Sequence, residues 1–276
     1  MNPGLGADVA RVWASVITLC SAHRLAHVRA QLAALSGVPG IERVVVWIGD
    51  DEPPTLDVEI VLHVPPGVFG MRLAAARNAG ATAARGELLI FLDADCVPGP
   101  DLLEGYRRAA AAHPHAVLCG PVTYLPPGVD ASDTAQLLAA TAPHPARPNP
   151  PAGAMERAAD DEYALFWSLS FAMRASVWTS VGGFDERYEG YGGEDTDFAF
   201  ALRDAGIPLV WVGGAHAYHQ YHETSTPPWR HLDDILRNGA LFAEKWGEWP
   251  MAGWLDAFAE AGAITWDGGE WVRRKG

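Results

Sequence analysis

Residues 87–103 read ELLIFLDADCVPGPDLL, an apolar run that ends in two carboxylates, Asp93 and Asp95, with only Ala94 between them. An unpaired carboxylate in apolar surroundings costs several kcal/mol, so positive charge is expected beside this pair. Along an extended chain residues i and i+2 face the same side, which lets both carboxylates reach one cation. Hard oxygen ligands suit Mg²⁺ or Mn²⁺. Three histidines, His216, His219 and His222, recur at a spacing of three after the apolar run IPLVWV. They form either a hydrogen-bonded cluster or a source of metal ligands, and imidazole beside carboxylate favours Mn²⁺ over Mg²⁺. No cysteine or glutamate has the spacing that would close a zinc site.

A third group of acids lies in YGGEDTDF, residues 191–198. Gly192 and Gly193 permit close backbone approach, and Glu194, Asp195 and Asp197 fall in the first turn of an expected helix. The helix dipole favours an acid there by about 0.3–1 kcal/mol. Three acids in four residues exceed what a cap requires, so one is expected to act as a base. Two effects then oppose each other at Asp195: a helix N-terminus lowers a carboxylate's pKa, and burial raises it.

These residues need elements to hold them. VWASVITLC (12–20) and ERVVVWIG (42–49) read as strands, with HRLAHVRAQLAAL (23–35) as a helix between them. DVEIVLHV (57–64) is a third strand, GMRLAAARNAGATAARG (70–86) an alanine-rich helix, and ELLIFLDAD a fourth strand. Strands alternating with helices predict βαβ units and a mostly parallel sheet, buried on both faces and hence continuously apolar. In such sheets ligands bind beyond the carboxyl ends of the strands. Asp93 and Asp95 belong to that rim, as do Asp50 and Asp51 after strand two and Cys20, Ser21 and His23 at the end of strand one. LFWSLSFAMR (165–174) gives a later strand, IPLVWVGGAHAYHQYH (207–222) a strand followed by a histidine cluster, and residues 228–246 a final amphipathic helix. PHPARPNPP (143–151) has five prolines in nine residues and predicts a long surface loop of the kind that often covers a site.

Composition narrows the field further. With 49% apolar residues the chain of 276 can bury a substantial core, as one large domain or two small ones. The formal charge of −14 argues against a nucleic-acid partner, which needs a basic face. It also means that an anionic ligand would need a cation as intermediary. No apolar run reaches the ~18 residues of a membrane span, so no integral membrane segment is expected. The N-terminus lacks the basic start and apolar block of a secretory signal. Cys20, Cys96 and Cys119 lie in or beside apolar runs and read as reduced thiols of a cytoplasmic protein.

Taken in order, SVITLCSAHRLAHVRAQLAAL, AAARNAGATAARGELLIFLDADCVPGPDLL and VGGFDERYEGYGGEDTDFAFALRDAG resemble family 2 glycosyltransferases of the GT-A fold. The Gly-Gly-Glu-Asp stretch with its trailing histidines is similar to the C-terminal part of the β-1,4-galactosyltransferases. The resemblance implies an α/β GT-A fold. Residues 1–125 would be the nucleotide-sugar-binding half, 126–225 the acceptor-binding and catalytic half, and 226–276 a C-terminal helical extension.

The resemblance further implies a metal-dependent, inverting transfer from a nucleotide-diphosphate sugar, a UDP-hexose by default, to an acceptor hydroxyl. It places Asp95 on Mn²⁺ or Mg²⁺ together with His219, His216 standing three residues earlier. Asp93 and Ala94 come near the donor ribose or sugar. Thr18, Cys20, Arg77, Asn78 and either Asp50 or Asp51 would shape the nucleotide pocket. Asp195 matches the base and Glu194 the acceptor-binding acid, with Gly193 and Trp167 on the acceptor side. The stretches TLCSAH and WIGDDE depart from the family's usual loops after strands one and two. Competing readings are a non-catalytic sugar-nucleotide-binding protein, a nucleotidyltransferase of the same fold, and a metallohydrolase built on His216 and His219. The absence of glycine from TLCSAHR argues against the nucleotidyltransferase.

Overall fold

A computed structural model of the protein describes residues 12–274. The reading of the N-terminus as free of a secretory signal falls largely on residues 1–11, outside the described residues. Four β-branched or aliphatic runs form β1 (Ala14–Cys20), β2 (Ile41–Ile48), β3 (Ile60–Val64) and β4 (Leu88–Leu92). They run parallel in the spatial order β3-β2-β1-β4. β1 is buried at every position, as a strand covered on both faces must be. Its covers include α1 (Leu25–Ala34) and α2 (Leu73–Ala83). The alanines of α2 have a steric reason: a Cβ added at Gly80 would stand 2.5 Å from Ile17 Cγ2, so this helix lies close on the sheet.

Beyond β4 the order becomes mixed. The chain continues through β5 (Cys96–Pro98), α3 (Leu102–Ala112), β6 (Val117–Cys119), β7 (Val122–Tyr124), α4 (Thr134–Ala139) and β8 (Met155–Arg157). Then follow β9 (Ser170–Arg174), α5 (Ala175–Val181), α6 (Glu194–Asp204), β10 (Leu209–Val212) and β11 (Ala217–His219). The large sheet has eight strands in the order β3-β2-β1-β4-β9-β6-β10-β8. β9 is antiparallel to β4 and β6, and β8 to β10. A second sheet, β5-β11-β7, pairs His219 with Cys96 on one side and Tyr124 on the other. That register brings His219 next to the residue after Asp95.

Three elements differ from the sequence expectation. The strand read through Asp95 ends at Leu92, and a turn closed by Cys96 N–H on the Asp93 carbonyl at 2.9 Å takes over. Asp93 and Asp95 therefore do not share a strand face. The strand read over 165–174 starts only at Ser170, because residues 160–165 wind into a 3₁₀ turn that buries Tyr163. The run 207–222 divides at Gly213–Gly214 into β10 and β11, which belong to different sheets.

After residue 226 come α7 (Leu232–Trp246) and α8 (Ala252–Glu260), then a hairpin of β12 (Ile264–Asp267) and β13 (Glu270–Arg273) that the expected helical extension did not include. Leu232, Ile235, Leu255, Phe258 and Ile264 give this region its own small core. Among the described residues no helix is long and apolar enough to cross a membrane.

One buried amide fixes the acidic turn. Gln31 of α1 is fully buried; its Nε2 donates to the carbonyls of Asp93 at 2.7 Å and Cys96 at 2.8 Å. Its Oε1 accepts from the Thr18 hydroxyl at 2.7 Å. Replacing it by an apolar side chain of similar size takes this partner from the Thr18 hydroxyl and the Cys96 carbonyl and leaves the Asp93 carbonyl only the Cys96 N–H, at a cost of about 1–3 kcal/mol for a buried unsatisfied group. Urea unfolding of Gln31→Leu should show that loss, and an unchanged midpoint would remove the amide from its role in holding the turn.

Candidate active site

The turn after β4 sends its two carboxylates to different cations. Asp95, almost fully buried, accepts from Arg24 Nε at 3.0 Å and lies 3.2 Å from His222 Nε2 and 3.6 Å from His219 Nε2. Burial pushes its pKa up, but the His222 hydrogen bond and the charges of His219 and Arg24 outweigh it and hold the group at about 2. Burial lowers the pKa of His219 against the opposing pull of Asp95. One ligand atom each from Asp95, His219 and His222 lie within 4.8 Å of one another. One carboxylate oxygen and two imidazole nitrogens are a donor set that fits a divalent ion such as Mn²⁺, which binds such ligands in their deprotonated form.

His216 stands outside this cluster. Its Nε2 lies 2.7 Å from the Thr123 hydroxyl, and burial lowers its pKa to about 4. The reason is local: β11 places alternate side chains on opposite faces, and the chain leaves β11 after His219, which brings His222 back to Asp95.

Asp93 faces the other way, 3.7 Å from Arg77 Nη2. Arg77, 4% exposed on α2, also holds Glu194 at 3.2 Å and Ser168 Oγ at 2.7 Å, with its guanidinium over the Phe184 ring. Asp195 follows Glu194 at the start of α6. Gly192 and Gly193, at φ +90° and +89°, supply the left-handed backbone that delivers both acids. Among the described residues Asp195 accepts hydrogen bonds only from its neighbour Thr196, from the backbone N–H at 2.8 Å and the hydroxyl at 3.4 Å. Burial, then the Glu194 charge, raise its pKa well above the ordinary 3.8 despite Arg77 and its own helix. Burial wins the contest posed by the sequence. Asp93 is raised to about 7, by burial first and then by Asp95, Glu194 and Asp195 against the opposing pull of Arg77.

Asp197 has a different task. It is 1% exposed and bound by Tyr188, Lys245 and Trp246, so it ties α6 to the end of α7. The three acids of this first turn thus divide into one held by arginine, one without an ion-pair partner among the described residues, and one structural anchor.

The remaining candidates spread over the rim and its supports. Thr18 and Cys20 lie in the sheet at 1% and 0% exposure, and burial pushes the Cys20 thiol up to about 12. Both sit beneath the rim rather than on it. Ala94 is buried with Cys20, Val45 and Trp47. Asp50 and Asp51 are exposed past β2, the Asp51 carbonyl accepting from Trp47 Nε1 at 2.6 Å. Asn78 turns away from the cleft and pins the Phe184 backbone, accepting its N–H and donating to its carbonyl, both at 2.9 Å. Trp167, half-buried, meets His144 edge-on at 4.9 Å; His144 meets Tyr124 at 5.4 Å, and Tyr124 stacks on His219 at 4.5 Å.

Several contributors carried no distinctive sequence signal. Arg24 was visible only as a cation after strand one. Gln31, Tyr124 and Asn238 belong to no motif. Asn238, 1% exposed on α7, donates to the carbonyls of Gly192 at 2.7 Å and Glu189 at 3.0 Å and so steadies the glycine turn. Tyr191 presents a 36% exposed ring whose ionisation is opposed by burial and by Asp195. Only its place in YGGED could have flagged it.

The raised Asp195 pKa sets a sign for stability. Between pH 3.8, its ordinary value, and about 7 the native carboxyl holds a proton that the unfolded chain has released. Stability from this group therefore falls as pH rises through that window, and the full penalty stands above it. Thermal melts of the metal-free Asp195→Asn variant should exceed wild type at pH 8 and match it near pH 3.5. Equal melting at pH 8 would contradict the raised pKa.

Comparison with known proteins agrees with this architecture. Residues 58–165 match the family described as Glycosyl transferase family 2, and residues 153–223 match the N-terminal domain of galactosyltransferase. Validoxylamine A glucosyltransferase of Streptomyces hygroscopicus subsp. jinggangensis is 29% identical over 170 residues, which is 51% of this chain and 37% of that protein. The chain thus spans little more than a third of that relative's length. The crystal structure of S. aureus TarS 1-349 in complex with UDP-GlcNAc aligns with a TM-score of 0.59 at 15% identity, over 91% of this chain and 72% of that one. GalNAc-T7 with UDP, GalNAc and Mn²⁺ aligns with a TM-score of 0.54 at 13% identity, over 92% of this chain and 57% of that one. The Asp-Ala-Asp turn and the Gly-Gly-Glu-Asp helix start thus both lie in segments that match glycosyltransferase families, on a fold shared with GT-A glycosyltransferases of known structure.

Proposed function

We propose that this chain transfers a sugar, a UDP-linked hexose by default, to an acceptor hydroxyl with inversion at the anomeric carbon. The observation that carries this reading is the isolation of Asp195. Asp93 and Glu194 face Arg77 and Asp95 faces Arg24, whereas Asp195 alone of the four has no ion-pair partner among the described residues. A carboxylate without a cation, raised toward neutrality, is poised to accept a proton from an attacking hydroxyl. Removal of that proton as the oxygen attacks from the face opposite the leaving group gives inversion.

Asp95, His219 and His222 would hold Mn²⁺ or Mg²⁺, which when bound offsets charge on the departing nucleoside diphosphate. This replaces His216 by His222 in the ligand set. Arg77 holds Glu194 and Asp93 side by side, Glu194 toward the acceptor and Asp93 toward the donor sugar. Asp50 and Asp51 remain the exposed candidates for the nucleobase, with Thr18 and Cys20 shaping the floor from within the sheet. Gly193 lets the acceptor approach the backbone, and Trp167, His144 and Tyr124 form an aromatic wall on which a sugar face could stack. The matched families, the UDP-GlcNAc complex of one structural neighbour and the UDP with GalNAc and Mn²⁺ in the other support the donor class. The three buried free thiols support a reducing compartment such as the cytoplasm.

The deciding variant is Asp195→Asn. With a donor and acceptor found by screening, it should lose about 10²–10⁴-fold in transfer, the range for a positioned base, while binding UDP with Mn²⁺ as wild type does. The wild-type rate should rise with pH toward the raised Asp195 pKa and level off above it. Wild-type turnover by the variant would remove the base from the scheme.

A further inference from the structure

Within the proline-rich loop, Pro145, Ala146 and Asn149 are exposed, yet Arg147 between them is 6% exposed. The loop is fastened at both ends. His144 N–H donates to the Val122 carbonyl at 2.9 Å, and Gly153 N–H to Gly213 at 3.0 Å. Inside, the Arg147 guanidinium lies 5.3 Å from the Trp167 ring centre and 5.1 Å from that of Trp211. Its Nε, Nη1 and Nη2 are all buried, and none has a hydrogen-bond partner. A guanidinium keeps its charge at any pH a protein meets, and buried charges are normally paired. Cation–π contact with two indoles recovers part of the lost hydration but satisfies no N–H in the ring plane.

The groups that feel its charge cannot supply a counterion. Burial pushes the thiol of Cys119 and the phenol of Tyr124 up to about 12, and raises Cys96 and Tyr106 as well, so all four are neutral at pH 7. No carboxylate among the described residues hydrogen-bonds the guanidinium. Its fork matches a carboxylate or phosphate edge. The site adjoins the cleft: Trp167 carries Arg147 against its ring and belongs to the aromatic wall that runs through His144 and Tyr124 to His219.

We propose that Arg147 receives an oxyanion, a carboxylate or phosphate carried by one of the two substrates of this cleft, and thereby selects acidic or phosphorylated sugars. The inference rests on the sugar-transfer reading for the identity of its ligand. The proline-rich loop is the cover that opens to admit it.

Thermal melts of the full chain test this with glucuronate, inorganic phosphate and uncharged glucose at constant ionic strength, each with and without UDP and Mn²⁺. Wild type should show a saturable rise with glucuronate or phosphate and none with glucose. Affinity should fall at least tenfold in Arg147→Met and be partly kept in Arg147→Lys. If the rise persists with UDP saturating, the acceptor brings the anion. If instead UDP-glucuronate displaces UDP-glucose from wild type but not from Arg147→Met, the donor brings it. Absence of a saturable anion effect in wild type, or an equal effect in Arg147→Met, overturns the proposal. The wild-type titration decides even where the methionine variant fails to fold. Arg147-dependent anion binding in a protein that ignores UDP would uphold the site and sink the sugar-transfer reading.

Discussion

Like-charge repulsion at one rim of the sheet organises this protein. Asp93, Asp95, Glu194 and Asp195 converge where β4 ends and α6 begins, and two guanidiniums, Arg77 and Arg24, divide them. The turn after Leu92 is the device that makes this tolerable. It separates two acids that a straight strand would have left facing one another. Arg77 can approach because α2 is built of small residues and lies close to the sheet. Burial and this crowding raise the pKa of both Asp93 and Asp195, and of the two only Asp195 lacks an ion-pair partner among the described residues.

The second half of the chain exists largely to hold that arrangement. β11 pairs beside β5, which fixes His219 against the residue after Asp95. Asp197, buried under Tyr188, Lys245 and Trp246, locks α6 to α7. Asn238 of the same helix holds the carbonyls of the glycine turn that precedes Glu194. Displacement of α7 would therefore reach Glu194 and Asp195 through the loop they stand on.

Much of this was legible in the residues. The parallel β3-β2-β1-β4 half follows from continuous apolar strands separated by helical runs, and the rim of acids from where those strands end. The extended-chain argument for Asp93 and Asp95 failed because a backbone turn, set by Gln31 from a distant helix, overrides local alternation. His216 and His222 could not be told apart by spacing alone, since that choice depends on where the chain leaves β11. Arg77 stood out through its motif, but its three-way contact is a product of packing. Asn78 lies in the same motif and turns out to brace the loop before α6. Arg147 shows the converse: a loop composition announces exposure, and only the fold reveals that its cation points inward.

The central claim is that Asp95, His219 and His222 jointly bind a divalent ion that in turn holds a nucleoside diphosphate. Calorimetric titration of UDP into the protein, with Mn²⁺ and then with EDTA, tests it most directly. Binding should be at least tenfold tighter with Mn²⁺, and Asp95→Asn should abolish that difference. UDP affinity indifferent to the ion, or an ion effect that survives Asp95→Asn, would contradict the account.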